Sequence, residues 1–355
     1  MDIRTEGTSL LLDKLEILGE NERLKEEEID EIVKHPDIQQ WLKAYDWIDD
    51  QKNKFRELLG RLSSETSDDT ESDDQDIYNL WLQKIDFGLR KAMKNIEQMQ
   101  YSLETVKTYD WDSTVQKALD YLPDETELKP VLVLTVDGFN GGMFRHETVY
   151  LSLVYLDTSL ISEDSFAHEL HHMGANYWWE KDPLIQRYQY KKDKQKFYFV
   201  QLFTYLVGEG IANAFCSPKA ITEVEGEETE QHDKMVRKYQ EEIEDIFDKL
   251  EKLLENIIEF SEEEVSEIYS GFTMDKENRG IPPGHFLSGR MVQMMDRSSS
   301  ISRDEILDLI KDPFNFLHIY NKAAEELEAQ KFSNELIEKV DEFIEHLEKK
   351  ERKEL

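Results

Sequence analysis

Apolar residues recur at spacings of three and four along most of the chain, which is the pattern of amphipathic α-helices. The first such region covers residues 8–59, and a second covers 77–106 with a further helix around Val115–Leu122. After Ser162, which is placed to cap a helix, the pattern predicts helices at 163–178, 195–216, 233–272, 284–297, 303–311, 314–330 and 333–352. We therefore expect a mostly helical protein.

One part of the chain has a pattern that predicts strands. Two runs rich in β-branched residues, Val131–Val136 and Thr148–Tyr155, flank a Gly-rich connection, Gly138–Gly142. This is the signal of a strand–turn–strand unit with a longer loop. The expected fold class is therefore mostly α with a small β-sheet (α+β).

Two polar segments carry further expectations. Residues 63–76 contain no apolar residue and are expected to form an exposed acidic loop, without the spacing of a calcium-binding EF-hand loop. Near the other end, Ser333 is placed to cap a helix that we expect to pack on the body of the protein. Its apolar stripe consists of Leu336, Ile337, Val340, Phe343, Ile344 and Leu347.

The charge balance excludes some partners. The chain has 78 acidic and 43 basic residues in 355 positions, a formal net charge of −35. Such a surface repels phosphate backbones and anionic lipids, so we expect no nucleic acid and no membrane partner.

The N-terminus lacks a basic segment followed by an apolar core, and a cytoplasmic location is the default expectation. The single cysteine, Cys216, excludes an intramolecular disulfide and is expected to be a buried small hydrophobe.

The chemistry is concentrated in the segment His168–His172, which reads His-Glu-Leu-His-His and matches the pattern H-E-x-x-H. Residues four apart on a helix lie on the same face, so His168 and His172 can bind one metal ion. Glu169 is offset by about 100° and can reach a metal-activated water without binding the metal. A chain with this content of histidine and glutamate has roughly 0.03 such matches by chance.

Alternatives to metal binding remain for the histidines. His171 points about 100° away from His172 and is expected to pack or to meet solvent. His168 and His172 themselves could be ordinary surface or core residues of an acidic helical protein.

A zinc site needs a third protein ligand and one open position. Glu209 is the best candidate, because it is an acid in the otherwise apolar segment TYLVGEGIANAF, where an uncompensated carboxylate is costly. Small residues beside it would let this helix approach the first helix closely: Gly208, Gly210, Ala212 and Ala214. The alternative is that Glu209 pairs with an Arg or Lys. Asn213, one turn further, either accepts a hydrogen bond from a metal-bound histidine or bonds to the backbone or water.

With HELHH followed by GEGIANAF, the sequence resembles the gluzincins, and among them bacterial proteins described as zinc-dependent peptidases with a later EG-[IL]-A segment. The likeness covers roughly residues 128–330 and includes PPGHFLSGRMVQMM and DPFNFLHIYN. It implies a zincin-like active-site helix next to a strand pair, one zinc ion, His168 and His172 as zinc ligands, Glu169 as general base and Glu209 as third ligand. It also implies three regions: an N-terminal helical region at 1–125, a zincin-like catalytic domain at 126–330 and a C-terminal helix at 331–355.

The chain departs from the best-known gluzincins in some respects. Residues 180–194 must loop out between the two helices, and Asn213 stands where an acid is often found. The resemblance further implies a Tyr or His that stabilises the oxyanion, for which His285 is the first candidate and Tyr269 the second. It also implies an edge strand that binds peptide by β-augmentation, and Thr148–Tyr155 is the expected strand.

The sequence therefore predicts a zinc metallopeptidase acting on a peptide or protein substrate, with Glu169 as the base for a metal-activated water. The first alternative is a regulatory or protein-interaction protein on a zincin scaffold that binds metal but has little catalytic activity. The second is a helical interaction protein without metal. The oligomeric state is not predicted.

Overall fold

The computed structural model describes residues 1–19, 23–44, 49–62, 77–138, 142–145, 148–154, 163–189, 193–223, 230–260, 262–274 and 280–354. The acidic segment 63–76, residues 139–141, Tyr155 and the proposed cap Ser162 lie outside this part of the chain. Within the described residues the protein is mostly helical with one small sheet, which confirms the expected fold class.

The chain divides into two compact units. Unit 1 comprises Met1–Thr114 and Lys129–Glu169, and unit 2 comprises Val115–Leu128 and Leu170–Leu355. The division expected from the sequence, into regions 1–125, 126–330 and 331–355, stays a prediction. The first strand of the chain pairs with the strand that begins at Val131, so the N-terminal segment belongs to the sheet.

Unit 1 contains the sheet and the N-terminal helices. Its strands are β1 (Asp2–Arg4), β2 (Val131–Thr135), β3 (Gly142–Arg145) and β4 (Thr148–Ser152). Its helices are α1 (Glu6–Gly19), α2 (Glu26–Lys34), α3 (Pro36–Lys43), α4 (Asp49–Arg61), α5 (Ile77–Lys94) and α6 (Ile96–Thr108). Helix α7 (Trp111–Leu119) leads into unit 2, and α8 (Glu163–Trp179) is one continuous helix that passes through the boundary at residues 169 and 170.

The sheet has the order β1-β2-β4-β3, and this order differs from the expected strand–turn–strand unit. The two strands read from the sequence, β2 and β4, are parallel, with Leu132 opposite Val149. Strand β3 is antiparallel to β4 and occupies part of what was expected to be the connection. Strand β4 is therefore internal, so the expectation that Thr148–Tyr155 forms an edge strand is wrong.

Close backbone contacts hold the helices of unit 1 against the sheet. Thr8 of α1 donates its hydroxyl hydrogen to the carbonyl of Leu134 in β2, at 2.7 Å. A Cβ atom at Gly88 of α5 would lie 2.4 Å from the Cα of Asp137, so only glycine permits this approach. The rings of Trp111 and Phe166 are 4.4 Å apart and join the start of α7 to the start of α8.

Unit 2 consists of helices around one hydrophobic core. After α8 they are α9 (Pro183–Gln189), α10 (Lys194–Ile211), α11 (Glu230–Glu241), α12 (Ile243–Glu259), α13 (Glu262–Thr273), α14 (Pro283–Arg297), α15 (Arg303–Asp308), α16 (Phe316–Glu326) and α17 (Asn334–Glu354). A π turn at Ala212–Cys216 extends α10. Helix α17 packs into this core through Leu336, Val340 and Leu347, as expected for the C-terminal stripe.

Three details of unit 2 differ from or refine the sequence expectations. The segment 233–272 is divided between three helices, and α12 ends where Phe260 adopts a left-handed conformation with φ 52°. Residues 180–194 contain α9. The backbone N–H groups of Leu184 and Ile185, in the first turn of α9, donate to the Asp182 carboxylate at 2.8 and 2.9 Å. The segment Lys194–Cys216 is long and apolar enough to cross a membrane by composition, but 78% of its most apolar 18-residue window is buried inside the protein. It is the central helix of the core.

Candidate metal centre

Helix α8 presents the H-E-x-x-H residues on one side. Ala167, Leu170 and Met173 are buried, whereas His168, Glu169 and His172 are half-buried. The buried residues fix the rotation of the helix, and the helical spacing then places His168 and His172 one turn apart on the same face. Since α8 is continuous, this spacing does not depend on the boundary between the two units.

Helix α10 brings Glu209 to His172. Asp193 caps this helix by accepting a hydrogen bond from the backbone N–H of Lys196. A Cβ atom at Gly208 would lie 3.0 Å from the Trp179 ring and 3.4 Å from His172 Nδ1, so the lack of a side chain at Gly208 lets α10 approach α8 closely. Glu209 Oε1 lies 3.3 Å from His172 Nε2. The expected close approach of these two helices is present.

His168, His172 and Glu209 form a cluster in which one potential ligand atom from each lies within 4.8 Å of the others. In the part of the chain that the structure describes, no other group of three His, Cys, Asp or Glu residues has this property. Two imidazole nitrogens and one carboxylate oxygen are donors typical of zinc, and three protein ligands leave a position open. The half-buried environment also fits, because a metal ion would compensate a carboxylate whose side chain is 15% exposed.

The second oxygen of Glu209 has partners of its own. His285, in the first turn of α14, has its Nδ1 atom 3.3 Å from Glu209 Oε2. Asn213, in the π turn, donates from Nδ2 to the same Oε2 at 3.2 Å and to the Glu209 carbonyl at 2.8 Å. Asn213 therefore bonds to the third candidate ligand itself. Of the expected partners of Asn213, the backbone is present, and the bond to the Glu209 carboxylate is an additional one.

Tyr205 is a residue of this region that the sequence analysis missed. It precedes Glu209 by one helical turn, and its ring lies 5.4 Å from the His285 ring. Burial, and then the charge of Glu209, raise the pKa of Tyr205 well above its ordinary value. Its position four residues before Glu209 is the signal that could have identified it, because residues four apart share a helix face.

Tyr269, the second candidate for the oxyanion residue, and His171, which was expected to pack or to meet solvent, occupy different surroundings. The ring of Tyr269, in α13, lies 5.0 Å from the ring of Tyr198 at a tilt of 56°, and burial raises the pKa of Tyr269 to about 12. The described contacts of Tyr269 do not include the three clustered residues, so its assignment as the oxyanion residue stays a prediction. His171 is fully buried, and its Nε2 atom lies 3.1 Å from the carbonyl of Tyr121.

Comparison with known proteins identifies one family. A family model described as "Putative zinc dependent peptidase (DUF5700)" matches residues 29–329. No curated protein matches the chain, and no solved structure does. The matched range includes all three residues of the cluster, together with Glu169, Asn213 and His285.

Proposed function

Since the chain belongs to this family of zinc-dependent peptidases, we propose that it hydrolyses peptide bonds at a single zinc ion held by His168, His172 and Glu209. The observation that carries this proposal is the grouping of two histidines on α8 with one carboxylate on α10. This donor set leaves room for a water or substrate, as in catalytic zinc sites, whereas structural zinc sites have four protein ligands.

The proposed role of Glu169 follows from its place on α8. When bound, zinc supplies a water of lowered pKa and polarises the carbonyl under attack. Glu169 is adjacent to His168 and offset by about 100° around the helix, so its carboxylate can accept a proton beside the metal without binding it. The buried face of α8 fixes the orientation of His168 and His172, and α10 brings Glu209 to them.

The sheet topology changes the proposal for peptide binding. Strand β4 has β2 on one side and β3 on the other, so its backbone groups are already paired and it cannot take up a peptide. Among the described strands, β1 and β3 each have one partner and one open edge, and β3 is the one that pairs with β4. We assign β-augmentation by a peptide or protein substrate to β3, the short strand that precedes β4.

Replacing Glu169 tests the proposed reaction. Glu169→Gln keeps the size of the side chain but removes the base, so zinc content should stay at one ion per chain while hydrolysis falls by at least about 100-fold. Zinc is measured by elemental analysis and hydrolysis with a broad peptide library. Glu180→Gln is the matched control, because it removes an exposed carboxylate just beyond the end of the same helix and should leave both values unchanged.

The outcomes separate the proposed function from its alternatives. Full activity in Glu169→Gln would show that the mechanism is wrong. A wild-type protein that binds zinc but cleaves no peptide in the library would favour the metal-binding regulatory protein. A wild-type protein that takes up no zinc would leave the helical interaction protein.

A further inference from the structure

The two carboxylate oxygens of Glu209 face different groups. Oε1 lies 3.3 Å from His172 Nε2, on the side of the clustered ligand atoms. Oε2 lies 3.3 Å from His285 Nδ1 and 3.2 Å from Asn213 Nδ2. One oxygen of the carboxylate therefore lies on the side of the candidate metal position. The other lies between the nitrogen atoms of two side chains, His285 in α14 and Asn213 in the π turn.

We propose that His285 and Asn213 are positioning residues that hold Oε2 of Glu209, so that Glu209 binds the metal through Oε1 alone. An asparagine amide nitrogen can only donate, and His285 Nδ1 donates in the tautomer that carries its proton there. Two donors on Oε2 occupy its lone pairs, and the metal would then be bound through Oε1, the oxygen on the side of His172. This inference rests on the metal site of the proposed function.

The side chain of Asn213 is fixed in place by a hydrogen bond to the backbone of Glu209. Its side chain is buried, and the same Nδ2 atom that bonds Oε2 also donates to the Glu209 carbonyl at 2.8 Å. The π turn contributes to this arrangement, since Ser217 N–H bonds to the carbonyl of Ala212, five residues earlier. The Asn213 side chain cannot turn away from Glu209 without losing both bonds.

His285 is held by the close packing of α14 on its neighbours. A Cβ atom at Gly284 would lie 2.8 Å from the Tyr205 hydroxyl and 2.8 Å from the carbonyl of Phe272, so this turn of α14 fits only because residue 284 has no side chain. The Tyr205 ring then borders the imidazole at 5.4 Å. Tyr239 fixes the segment before the helix by donating its hydroxyl hydrogen to the Ile281 carbonyl at 2.8 Å.

The consequence for the metal site is a defined coordination number. A carboxylate that binds through both oxygens fills the position that a catalytic site keeps for water or substrate. Donors to the outer oxygen prevent this, and the loss of such a partner typically lowers metal affinity by about 10- to 100-fold. The clamp of His285 and Asn213 would thus keep one position open for the reaction.

Three substitutions in the full-length protein test the clamp. Asn213→Asp keeps the shape but replaces the donor by an acceptor, and His285→Phe keeps a ring but removes the donor. Each should weaken zinc binding by about 10- to 100-fold, measured by competition with a chelator. His285→Asn restores a donor near the position of Nδ1 and should recover part of the affinity. His318→Phe and Asn334→Asp are the controls, because both side chains are exposed and belong to other helices.

The visible spectrum of the cobalt(II) form reports coordination directly. Four-coordinate cobalt absorbs more strongly than five-coordinate cobalt, so Asn213→Asp and His285→Phe should lower the absorption, and both controls should keep it. A wild-type protein that binds neither zinc nor cobalt overturns the proposed function and this inference together. A wild-type protein that binds both metals, with clamp variants of unchanged affinity and spectrum, overturns the inference alone.

Discussion

Tyr205 illustrates how a single buried atom affects stability near the candidate metal centre. Its hydroxyl is buried, and within the described residues it has no hydrogen-bond partner. Tyr239, in the same unit, has a hydroxyl that donates to the Ile281 carbonyl at 2.8 Å. A buried polar group without a partner costs about 1–3 kcal/mol, whereas a satisfied one contributes about 1 kcal/mol.

Loss of the hydroxyl should therefore change the free energy of unfolding differently at the two tyrosines. Tyr205→Phe should leave the free energy of unfolding equal to that of the wild type or raise it by about 1 kcal/mol. Tyr239→Phe should lower it by about 1–2 kcal/mol, because the Ile281 carbonyl loses its donor. Urea denaturation measures both values. Equal destabilisation by the two substitutions would contradict this account of Tyr205.

Single residues were also the scale at which the sequence was most informative. His168, Glu169 and His172 could be read from local spacing, because a helix alone fixes their relation. Glu209 could be predicted because a carboxylate in an apolar helix needs a compensating partner. The contact between His285 and Glu209 could not, since it joins positions far apart in the chain and depends on how α14 packs on α10.

At the scale of elements, the distance between α8 and α10 depends on Gly208. An added methyl group there would lie 3.0 Å from the Trp179 ring, which is tighter than ordinary contact, and 3.4 Å from His172 Nδ1. The Trp179 ring has little freedom to move, because it is buried and its Nε1 donates to the Ile310 carbonyl at 3.0 Å. The close approach of these helices therefore limits which residues fit at position 208.

Gly208→Ala should move α8 and α10 apart and weaken zinc binding by about 10-fold. This is the lower end of the range of about 10- to 100-fold that is typical when a residue that orients a metal ligand is lost. Gly271→Ala in α13 is the control, since no atom lies within 4 Å of the added group. It should leave zinc binding unchanged and raise stability by about 0.5–1 kcal/mol through helix propensity. Chelator competition and thermal denaturation measure the two effects. Unchanged zinc affinity in Gly208→Ala would refute the role of this contact.

The ends of α14 and α16 are joined by one carboxylate. Glu326 accepts hydrogen bonds from the hydroxyls of Ser298 and Ser299 and from the backbone N–H groups of Ser299 and Ser300. These bonds, the side-chain ones first, lower the pKa of Glu326 from 4.5 to about 2. A carboxylate whose pKa is lowered in the folded protein stabilises the fold at every pH above its ordinary pKa. This stabilisation is lost as the pH falls from 4.5 toward 2.

Glu326→Gln should therefore lower the melting temperature at pH 7, and the difference from the wild type should shrink between pH 4.5 and about pH 2. Glu325→Gln is the control, because its exposed carboxylate has, among the described residues, just a long ion pair with Lys331 at 3.8 Å. Thermal denaturation across this pH range measures the effect. A constant difference at all pH values would show that the carboxylate charge is not responsible.

The sheet shows why the arrangement of elements was harder to predict than their existence. Both β2 and β4 were recognised from their composition, but almost all of their residues are buried, and so the sequence pattern does not distinguish parallel from antiparallel pairing. Strands β1 and β3 have three and four residues, too few for a clear alternation. The position of β4 inside the sheet follows from these two short strands.

At the scale of the whole molecule, metal binding should be linked to folding. A ligand that binds only the folded chain stabilises it, by about 2.7 kcal/mol at a concentration of 100 times Kd. Zinc should therefore raise the melting temperature of the wild type, and a chelator should reverse this. His168→Ala should lose the response, whereas His318→Ala, which removes an exposed imidazole, should keep it. The same response in both variants would contradict the assignment of His168.

The family and the charge describe the molecule at the largest scale. The family model covers residues 29–329, so the family assignment concerns most of the chain and not the motif alone. The formal net charge of −35 was readable from composition. The two compact units were not, because they depend on contacts such as the pairing of β1 with β2, which joins the two ends of a long helical region.

Anomalous X-ray diffraction from crystals of the zinc-loaded protein tests the central claim most directly. We predict one zinc ion about 2.0–2.2 Å from a nitrogen of His168, a nitrogen of His172 and a single oxygen of Glu209. A zinc ion bound elsewhere, or none at this cluster at saturating zinc, would contradict it.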